Sequence, residues 1–317
     1  METILQNPVI KFSTSITKKL FNVGKLIGNT PMHRFNSLSS KTGVVIYAKL
    51  EWHQLGGSVK ARAAFRIIEQ AITTGELSKD KRLLDASSGN TGIAFGAIAA
   101  SLGIPVTLCL PENASKERKS ILKALGVDVI LTDPFSGTDG AQEMAAGIYL
   151  EHPGKYFYAN QYANNDNWKS HYLGTSREIF RQTGGEVSHF VCGLGTTGSF
   201  IGTGRYLKEM KQSIHLLALQ PDGPMHGLEG WKDLETAKVP AIYDSHLAND
   251  ISHVSTEEAY DLIRFVARHE GLLLSPSAAA NLAGATRLAA SLQSGSIVTL
   301  LPDNADKYGD LLASLNL

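Results

Sequence analysis

The sequence predicts an α/β fold in which mainly parallel sheets carry helices on both faces. Short apolar runs of strand length alternate with amphipathic runs of helix length, and the alternation continues along nearly all of the 317 residues. Parallel sheets joined by helices produce this order, and they bind ligands at the carboxyl ends of their strands. The length suits one large α/β domain or two domains of ordinary size.

The strand and helix candidates follow one another in the order that this fold requires. The first apolar run, VVIYAKL, leads to a helix candidate that begins near residue 61. The predicted strands occupy 44–50, 82–87, 106–111, 128–133, 189–195, 215–222 and 296–304. The further predicted helices occupy 92–103, 116–126, 140–152, 199–210, 256–271 and 278–292.

Two stretches lack a regular pattern. Residues 159–170 are rich in asparagine, and we interpret them as a candidate seam between two domains. Residues 221–250 scatter proline, glycine and charges over a length that is unusual for a plain connection, which favours a functional loop.

The composition restricts the class of ligand. Basic and acidic side chains number 30 each, so the chain carries no net charge that would attract nucleic acid or an anionic membrane. Cys109 and Cys192 end apolar strand-like runs and are predicted to be buried free thiols. No apolar run approaches the ~20 residues that span a bilayer, and the first 25 residues lack the core of a signal peptide. We predict a cytoplasmic protein that acts on small molecules or binds a protein partner.

Three segments share a layout in which small or hydroxyl residues stand before the start of a helix. They are GGSVK at 56–60, ASSGNTG at 86–92 and GLGTTGS at 193–199. The first turn of a helix offers unpaired backbone N–H groups and the positive end of its dipole, which suit anionic groups. Three such turns predict a ligand with several anionic parts, or two ligands.

The segment GLGTTGS leaves three alternatives open. Gly193, Gly195 and Gly198 have the spacing of a dinucleotide-binding turn, and Asp222 stands roughly where a ribose-binding acid is expected. Glycines of this kind also serve tight packing alone, or bind another phosphate. The turn also contains hydroxyl groups that add donors for a compact phosphate monoester, those of Thr196, Thr197 and Ser199.

The segment ASSGNTG concentrates short polar side chains before an apolar helix. Ser87, Ser88, Asn90 and Thr91 surround Gly89. A helix cap needs only one such residue, so the alternative of a simple cap leaves the others unexplained. The cluster therefore favours recognition of a carboxylate or a phosphate.

Lys60 stands where the positive end of a helix dipole disfavours a cation. The alternative is an ordinary solvent-exposed lysine. Small neighbours from Gly56 to Ala64 would let a flat ligand approach closely. The helix start and a partly apolar setting both favour the neutral amine, which Schiff-base chemistry requires.

A lysine that forms an imine, a phosphate turn and a carboxylate turn together describe pyridoxal phosphate in an enzyme of amino-acid metabolism. The segments GGSVKARAA, SSGNTGIA and GLGTTGSFIGTGRYLK, with IGNTPMHRF at 27–35, closely resemble the cysteine synthase family of fold-type II pyridoxal phosphate enzymes. The resemblance runs in one order from about residue 23 to about 310. It implies a tryptophan synthase β-like fold of two doubly wound, three-layer αβα domains with mainly parallel sheets.

We predict an N-terminal domain at 46–162 that carries the substrate-carboxylate loop. A larger domain would comprise 12–45 and 163–317 and carry the phosphate loop, with pyridoxal 5'-phosphate in the cleft between the two domains. The resemblance also implies a homodimer, and nothing in the motifs calls for a metal.

The resemblance implies a role for each matching residue. Lys60 would form the Schiff base and move the α-proton of the substrate, Asn90 would bind the phenolic oxygen of the cofactor, and Ser277 would face its pyridine nitrogen. The residues that would hold the phosphate are Gly195, Thr196, Thr197, Gly198 and Ser199. Those that would bind the substrate carboxylate are Ser87, Ser88, Gly89, Thr91 and Gln161.

The implied reaction is a β-replacement that converts O-acetyl-L-serine, or O-phosphoserine, and sulfide into L-cysteine. The alternatives are cystathionine β-synthase-like activity, thiosulfate-using S-sulfocysteine synthase activity, and a catalytically silent regulatory protein with this fold. Four departures from the family's usual residues bear on the pocket: Ala61 after Lys60, Ser87 in place of threonine, the asparagine-rich segment after Gln161 without the family's prolines, and SPSAAA around Ser277 without the usual glycines.

The segment at 226–244 and the paired threonines of the phosphate turn look more like the B-type branch of the family. In that branch a cation in this loop can meet an anionic leaving group or sulfur donor, and Lys232 falls near that position. The alternative is a solvated loop lysine.

Overall fold

The computed structural model describes residues 14–38, 43–87 and 89–315. The strands in these ranges are β1 (Met32–Phe35), β2 (Val44–Leu50), β3 (Arg82–Ala86), β4 (Val106–Pro111), β5 (Asp128–Thr132), β6 (Tyr156–Tyr158), β7 (His189–Gly193), β8 (His215–Pro221), β9 (Asp250–Val254) and β10 (Gly295–Leu301). The α-helices are α1 (Thr14–Gly24), α2 (Lys60–Thr74), α3 (Asn90–Leu102), α4 (Lys116–Ala124), α5 (Gly137–Glu151), α6 (Asn165–Ser170), α7 (Ser176–Gln182), α8 (Gly198–Met210), α9 (Thr256–His269), α10 (Pro276–Ser291) and α11 (Gly309–Ser314). A π-helical turn, His171–Thr175, joins α6 to α7.

The strands form two sheets. The larger has the order β1-β2-β10-β7-β8-β9, and the smaller has the order β5-β4-β3-β6. Neighbouring strands run parallel except for β1 and β2, which pair antiparallel. All seven predicted strands are present, and the prediction of mainly parallel sheets is confirmed.

Strand β2 belongs to the larger sheet, since it pairs with β10 over its whole length. The predicted domain boundary at residue 46 therefore falls inside a strand. The smaller sheet lies wholly between residues 82 and 158. The division into two domains stays a prediction.

The prediction of an irregular stretch at 159–170 is wrong in its second half, where α6 begins. The Asn164 side chain accepts a hydrogen bond from the Asp166 amide, so an asparagine of this stretch caps the helix. The loop between β8 and β9 has no helix or strand, as predicted.

Each sheet packs against its own helices. Helices α9 and α10 contribute to one core on the larger sheet, while α2 and α3 build the core of the smaller one. Gly92 and Gly96 bring α3 close to its neighbours, because a Cβ on Gly92 would lie 2.8 Å from a methyl of Leu108. Cys109 and Cys192 are buried and free, as predicted. In the described ranges no helix has both the length and the apolar character needed to cross a membrane.

Candidate active site

The carboxyl ends of strands from both sheets surround one cavity of about 390 Å³. Ser87 follows β3, Pro111 ends β4, Gly193 ends β7 and Pro302 follows β10. The cavity brings together most of the predicted site residues, namely Lys60, Ser87, Gly89, Asn90, Thr91, Gln161, Gly195, Thr196, Ser199, Lys232 and Ser277. Thr197 and Gly198 lie in the same turn but not on the cavity wall, and Ser88 lies outside the described residues.

Lys60 is the first residue of α2, at the place where the sequence predicted a helix start. Its side chain is half-buried and reaches the cavity wall. Burial lowers the pKa of its amine, and the nearby Lys307 cation acts in the same direction, while Asp303 opposes both. This direction agrees with the predicted preference for the neutral amine, which stays a prediction, and burial is its main cause. Ala61 is fully buried in the core that α2 and α3 build on the smaller sheet, where a small apolar residue fits.

The phosphate turn at 193–199 leaves no room for side chains at its glycines. A Cβ on Gly195 would lie 2.1 Å from the Gly230 carbonyl oxygen, and one on Gly193 would lie 2.0 Å from the ring of Trp231. The turn therefore has its backbone exposed toward the cavity at the start of α8. Asn281 braces it, since its side chain accepts a hydrogen bond from the Gly193 amide at 2.6 Å.

Thr197 has a left-handed backbone with φ of 69°, which non-glycine residues rarely adopt. Its hydroxyl is buried and has no hydrogen-bond partner in the described part of the chain. A turn with an unsatisfied hydroxyl, free amides and a helix start fits an anionic group such as a phosphate. Asp222 is exposed and does not line the cavity, so it does not supply the ribose-binding acid that the dinucleotide alternative requires.

Asn167 connects the phosphate turn to the substrate side of the cavity. Its amide donates to the Gln161 carbonyl oxygen at 2.7 Å and to the Thr196 hydroxyl at 3.0 Å. Gly198 is packed against the same side chain, because an added Cβ would lie 2.0 Å from Asn167 Oδ1. Sequence reasoning missed Asn167, although it marked the asparagine-rich stretch as a seam.

The turn that begins at Ser87 combines capping with spare hydrogen-bonding capacity. Ser87 Oγ accepts from the Gly92 amide at 3.0 Å and more weakly from the Gly89 amide at 3.3 Å. Its own O–H remains available as a donor. The Thr91 hydroxyl donates to Gln161 Oε1 at 2.7 Å, so these two predicted substrate residues form a buried pair.

Asn90 and Ser277 reach the cavity from helix starts on opposite sheets. Asn90 Nδ2 donates to Asp303 Oδ2 at 2.8 Å, whereas Asn90 Oδ1 is buried without a partner in the described residues. Ser277 is buried, with its hydroxyl 3.3 Å from that of Ser275, which caps α10. Asp303 was missed by sequence reasoning, although its position near the carboxyl end of the last predicted strand was a usable signal.

Lys232 is not a solvated loop lysine, since only 11% of its side chain is exposed. Its Nζ lies 2.7 Å from Asp139 Oδ1 of α5. Arg118 of α4 forms a second such ion pair, with Glu229. Both pairs join the helices of the smaller sheet to the loop after β8, and all but Asp139 line the cavity. Motif reading had no signal for Arg118 or Glu229.

Asp85 lies in β3, two residues before Ser87, and is buried. Burial raises the pKa of its carboxyl from 3.8 to about 7. The folded state holds the proton of Asp85 more tightly than the unfolded state does. The stability that this protonated carboxyl contributes is therefore present below pH 3.8 and is lost as pH rises toward about 7.

We therefore expect Asp85→Asn to gain stability over the wild type as pH rises through this window, on the order of 2 kcal/mol or more. Urea unfolding of both proteins between pH 4 and pH 8 measures the difference. If the free energy of unfolding changes with pH in the same way in both proteins, the pKa of Asp85 is not raised as described.

Comparison with known proteins supports the interpretation of the cavity. The family model for pyridoxal-phosphate dependent enzymes matches residues 23–303. A cysteine synthase of Aquifex aeolicus is 42% identical over 90% of this chain and 89% of its own, and cysteine synthase B of Pseudomonas aeruginosa is 35% identical over 90% and 95%. The crystal structure of cysteine synthase from Entamoeba histolytica superimposes with a TM-score of 0.87 at 31% identity, covering 99% of this chain and 94% of that one.

The fold and the cavity thus define a pyridoxal-phosphate dependent enzyme of fold-type II, and pyridoxal 5'-phosphate is its cofactor. Within that class, the chain belongs to the cysteine synthase family.

Proposed function

We propose that this enzyme is a transferase of cysteine biosynthesis that makes L-cysteine from O-acetyl-L-serine and sulfide by β-replacement. One observation carries the proposal: Lys60, the phosphate turn and the Ser87 turn converge on one cavity. The relatives that share this chain's length bear the name cysteine synthase.

The cofactor would be held at three points besides Lys60. The turn from Gly195 to Ser199 would bind the phosphate through backbone amides and the unsatisfied Thr197 hydroxyl. Asn90 would bind the phenolic oxygen, and Ser277 would meet the pyridine nitrogen with a neutral hydroxyl. When bound, pyridoxal phosphate supplies an aldehyde for amines and a ring that stabilises negative charge at the α-carbon.

The Ser87 turn would bind the substrate carboxylate. The Ser87 hydroxyl still has a proton to donate, and the first turn of α3 offers free amides and the positive end of its dipole. Gln161 would be oriented by its bond to Thr91 and by its donation to the Ala86 carbonyl oxygen at 2.9 Å. These contacts would fix the α-carbon beside Lys60.

Lys60 would move the proton at the α-carbon. The amine can accept a proton only when neutral, and burial favours that state by lowering its pKa. Asp303 lies close enough to stabilise the ammonium form afterwards. The amine would thus alternate between the two states within one turnover.

The Arg118–Glu229 and Lys232–Asp139 pairs would limit the access of water. Each pair bridges the two sides of the cavity. Exclusion of water would protect the reactive substrate until sulfide attacks its β-carbon.

We propose that Lys232 also meets an anionic leaving group or sulfur donor, such as O-phosphoserine or thiosulfate. Its partner Asp139 balances the charge but leaves further donors on Nζ. Lys232→Ala is expected to raise the KM for O-phosphoserine and thiosulfate about tenfold relative to O-acetylserine and sulfide, the cost of about one charge-assisted hydrogen bond. Steady-state kinetics with both substrate pairs test this, and equal changes for both pairs would contradict it.

The holoenzyme given O-acetyl-L-serine and sulfide should release L-cysteine and acetate in equal amounts, measured by chromatography. Absence of turnover with every serine ester would favour the silent regulatory alternative.

A second candidate uses a thiol amino acid in place of sulfide. Arg118 and Glu229 present one cation and one carboxylate to the cavity, the charges that complement an amino-acid zwitterion. A structure described as an O-acetylserine dependent cystathionine β-synthase, from Helicobacter pylori, superimposes with a TM-score of 0.85 at 30% identity, covering 91% of this chain and 96% of that one. Faster turnover with homocysteine than with sulfide would favour this candidate.

We also propose that the enzyme is a cytoplasmic homodimer that requires neither nucleic acid nor a membrane. Two buried free thiols suit a reducing compartment. Phe21 and Leu26 expose 63% and 56% of their surface on and after α1, where a second copy could cover them. Light scattering on the eluted protein reports the mass, and a monomer would contradict the dimer.

A further inference from the structure

Four charged side chains are buried together behind the cavity. Lys49, Glu51, Arg62 and Glu178 are each at most 7% exposed, and their two positive and two negative charges balance. Burying charge costs several kcal/mol per ion unless each group is paired and hydrogen-bonded. None of the four lines the cavity, so the proposed reaction leaves the cluster unexplained.

Arg62 lies at the centre of the cluster and engages both carboxylates with its planar fork. Its Nε and Nη2 donate to the two oxygens of Glu51 at 2.6 and 2.9 Å. Its Nη1 and Nη2 donate to the two oxygens of Glu178 at 2.7 and 2.8 Å. Glu51 follows β2 and Glu178 lies in α7, so one side chain connects α2 to two separate elements. Lysine cannot reproduce this geometry.

The IGNTP motif, residues 27–31, adds further hydrogen bonds to the two carboxylates of the cluster. The Asn29 amide donates to Glu178 Oε1 at 2.9 Å, and the Thr30 hydroxyl donates to Glu51 Oε1 at 2.7 Å. Gly28 has a φ of 79°, and a Cβ there would lie 3.0 Å from Glu178 Oε1. A motif that the cofactor and substrate do not use is thus accounted for by the cluster.

The cluster acts on the turn that carries Lys60. Arg62 is the third residue of α2, and the cap residue Val59 makes no side-chain hydrogen bond to the helix start. The turn is held by the Arg62 fork, by the bond from the Val59 amide to the Pro302 carbonyl oxygen at 2.7 Å, and by the bond from Lys307 Nζ to the Gly57 carbonyl oxygen at 2.9 Å. Both partners of the fork lie on the side of the larger sheet, since Glu51 follows β2 and Ile179, next to Glu178, packs in a core with residues of β7, β8 and β10.

We propose that Arg62 is a positioning residue whose paired contacts with Glu51 and Glu178 direct the Lys60 amine into the cavity. The inference rests on the proposed role of Lys60 toward the cofactor. A displacement of about 1 Å in a reacting group can cost about a hundredfold in rate. Loss of an anchor two residues from Lys60 is therefore expected to lower the rate strongly.

Lys49 provides the matched control. It belongs to the same cluster, is fully buried and pairs with Glu178 at 2.8 Å. It lies in β2, however, and none of its hydrogen bonds reaches α2. Lys49→Met therefore removes one buried cation and tests the purely structural role of the cluster.

The experiment compares Arg62→Lys and Arg62→Met with Lys49→Met. Apoprotein is mixed with pyridoxal phosphate, the imine is trapped with borohydride at timed intervals, and the labelled Lys60 peptide is quantified by mass spectrometry. Both Arg62 variants are expected to label Lys60 at least about tenfold more slowly and to lose kcat with little change in KM, whereas Lys49→Met stays near the wild type. Glu51→Gln, which keeps the shape of its side chain, serves if the Arg62 variants do not fold.

Labelling that falls in proportion to thermal stability in every variant, Lys49→Met included, would overturn the proposal. So would an Arg62→Lys or Glu51→Gln enzyme that labels Lys60 at the wild-type rate. If the wild type itself neither labels Lys60 nor makes cysteine, the proposed function fails first.

Discussion

Replacement of Lys60 by alanine is expected to lower the rate of cysteine formation by at least about a thousandfold, because it removes both the imine-forming amine and the group that moves the α-proton. Added pyridoxal phosphate should still bind through the phosphate turn, but borohydride should no longer attach it covalently to the chain, because the free aldehyde is reduced to an alcohol. Cysteine release and the mass of the reduced chain measure the two effects.

Lys307→Met is the control for this experiment. Lys307 lies near the turn that carries Lys60, where its Nζ donates to the Gly57 carbonyl oxygen at 2.9 Å. It does not line the cavity. Its removal should keep the imine and most of the activity. Equal losses in the two variants would show that a general disturbance, and not the Lys60 amine, is responsible.

Gly195→Ala is expected to reduce the affinity for pyridoxal phosphate by at least about a hundredfold, the scale of losing two or more hydrogen bonds to a charged group. The new methyl group would lie 2.1 Å from the Gly230 carbonyl oxygen, and a backbone atom cannot move aside without reshaping the turn. Dialysis of the holoenzyme followed by cofactor analysis measures the loss.

Gly223→Ala is the matched control, since no atom of the described residues lies within 4 Å of its Cβ position. This variant should retain the cofactor like the wild type. If Gly195→Ala also retains its cofactor, the turn does not hold the phosphate in the way proposed.

The sequence predicted the parts of the fold that depend on local patterns. All seven apolar runs are strands, and Lys60 begins a helix as its small neighbours and the following amphipathic run required. The three polar turns converge because the carboxyl ends of parallel strands meet. Strand β6 was missed because its three residues carry too little periodicity, and β9 was missed because its sequence, DISHV, is largely polar and exposed.

The parts that depend on distant pairing could not be predicted. Arg118 lies in a charged amphipathic helix and Glu229 in an irregular loop, and only the fold brings them together. Arg62 is part of the motif GGSVKARAA, but its partners Glu51 and Glu178 are 11 and 116 residues away in the chain. A buried arginine and a surface arginine cannot be distinguished by helical position alone.

The location of the cofactor on the chain is the most direct test of the role of Lys60. The holoenzyme is reduced with borohydride, digested and analysed by mass spectrometry for the pyridoxyl group. We expect the label on the peptide that contains Lys60, at one group per chain. A label on Lys49, Lys232 or Lys307 with Lys60 unmodified would contradict it.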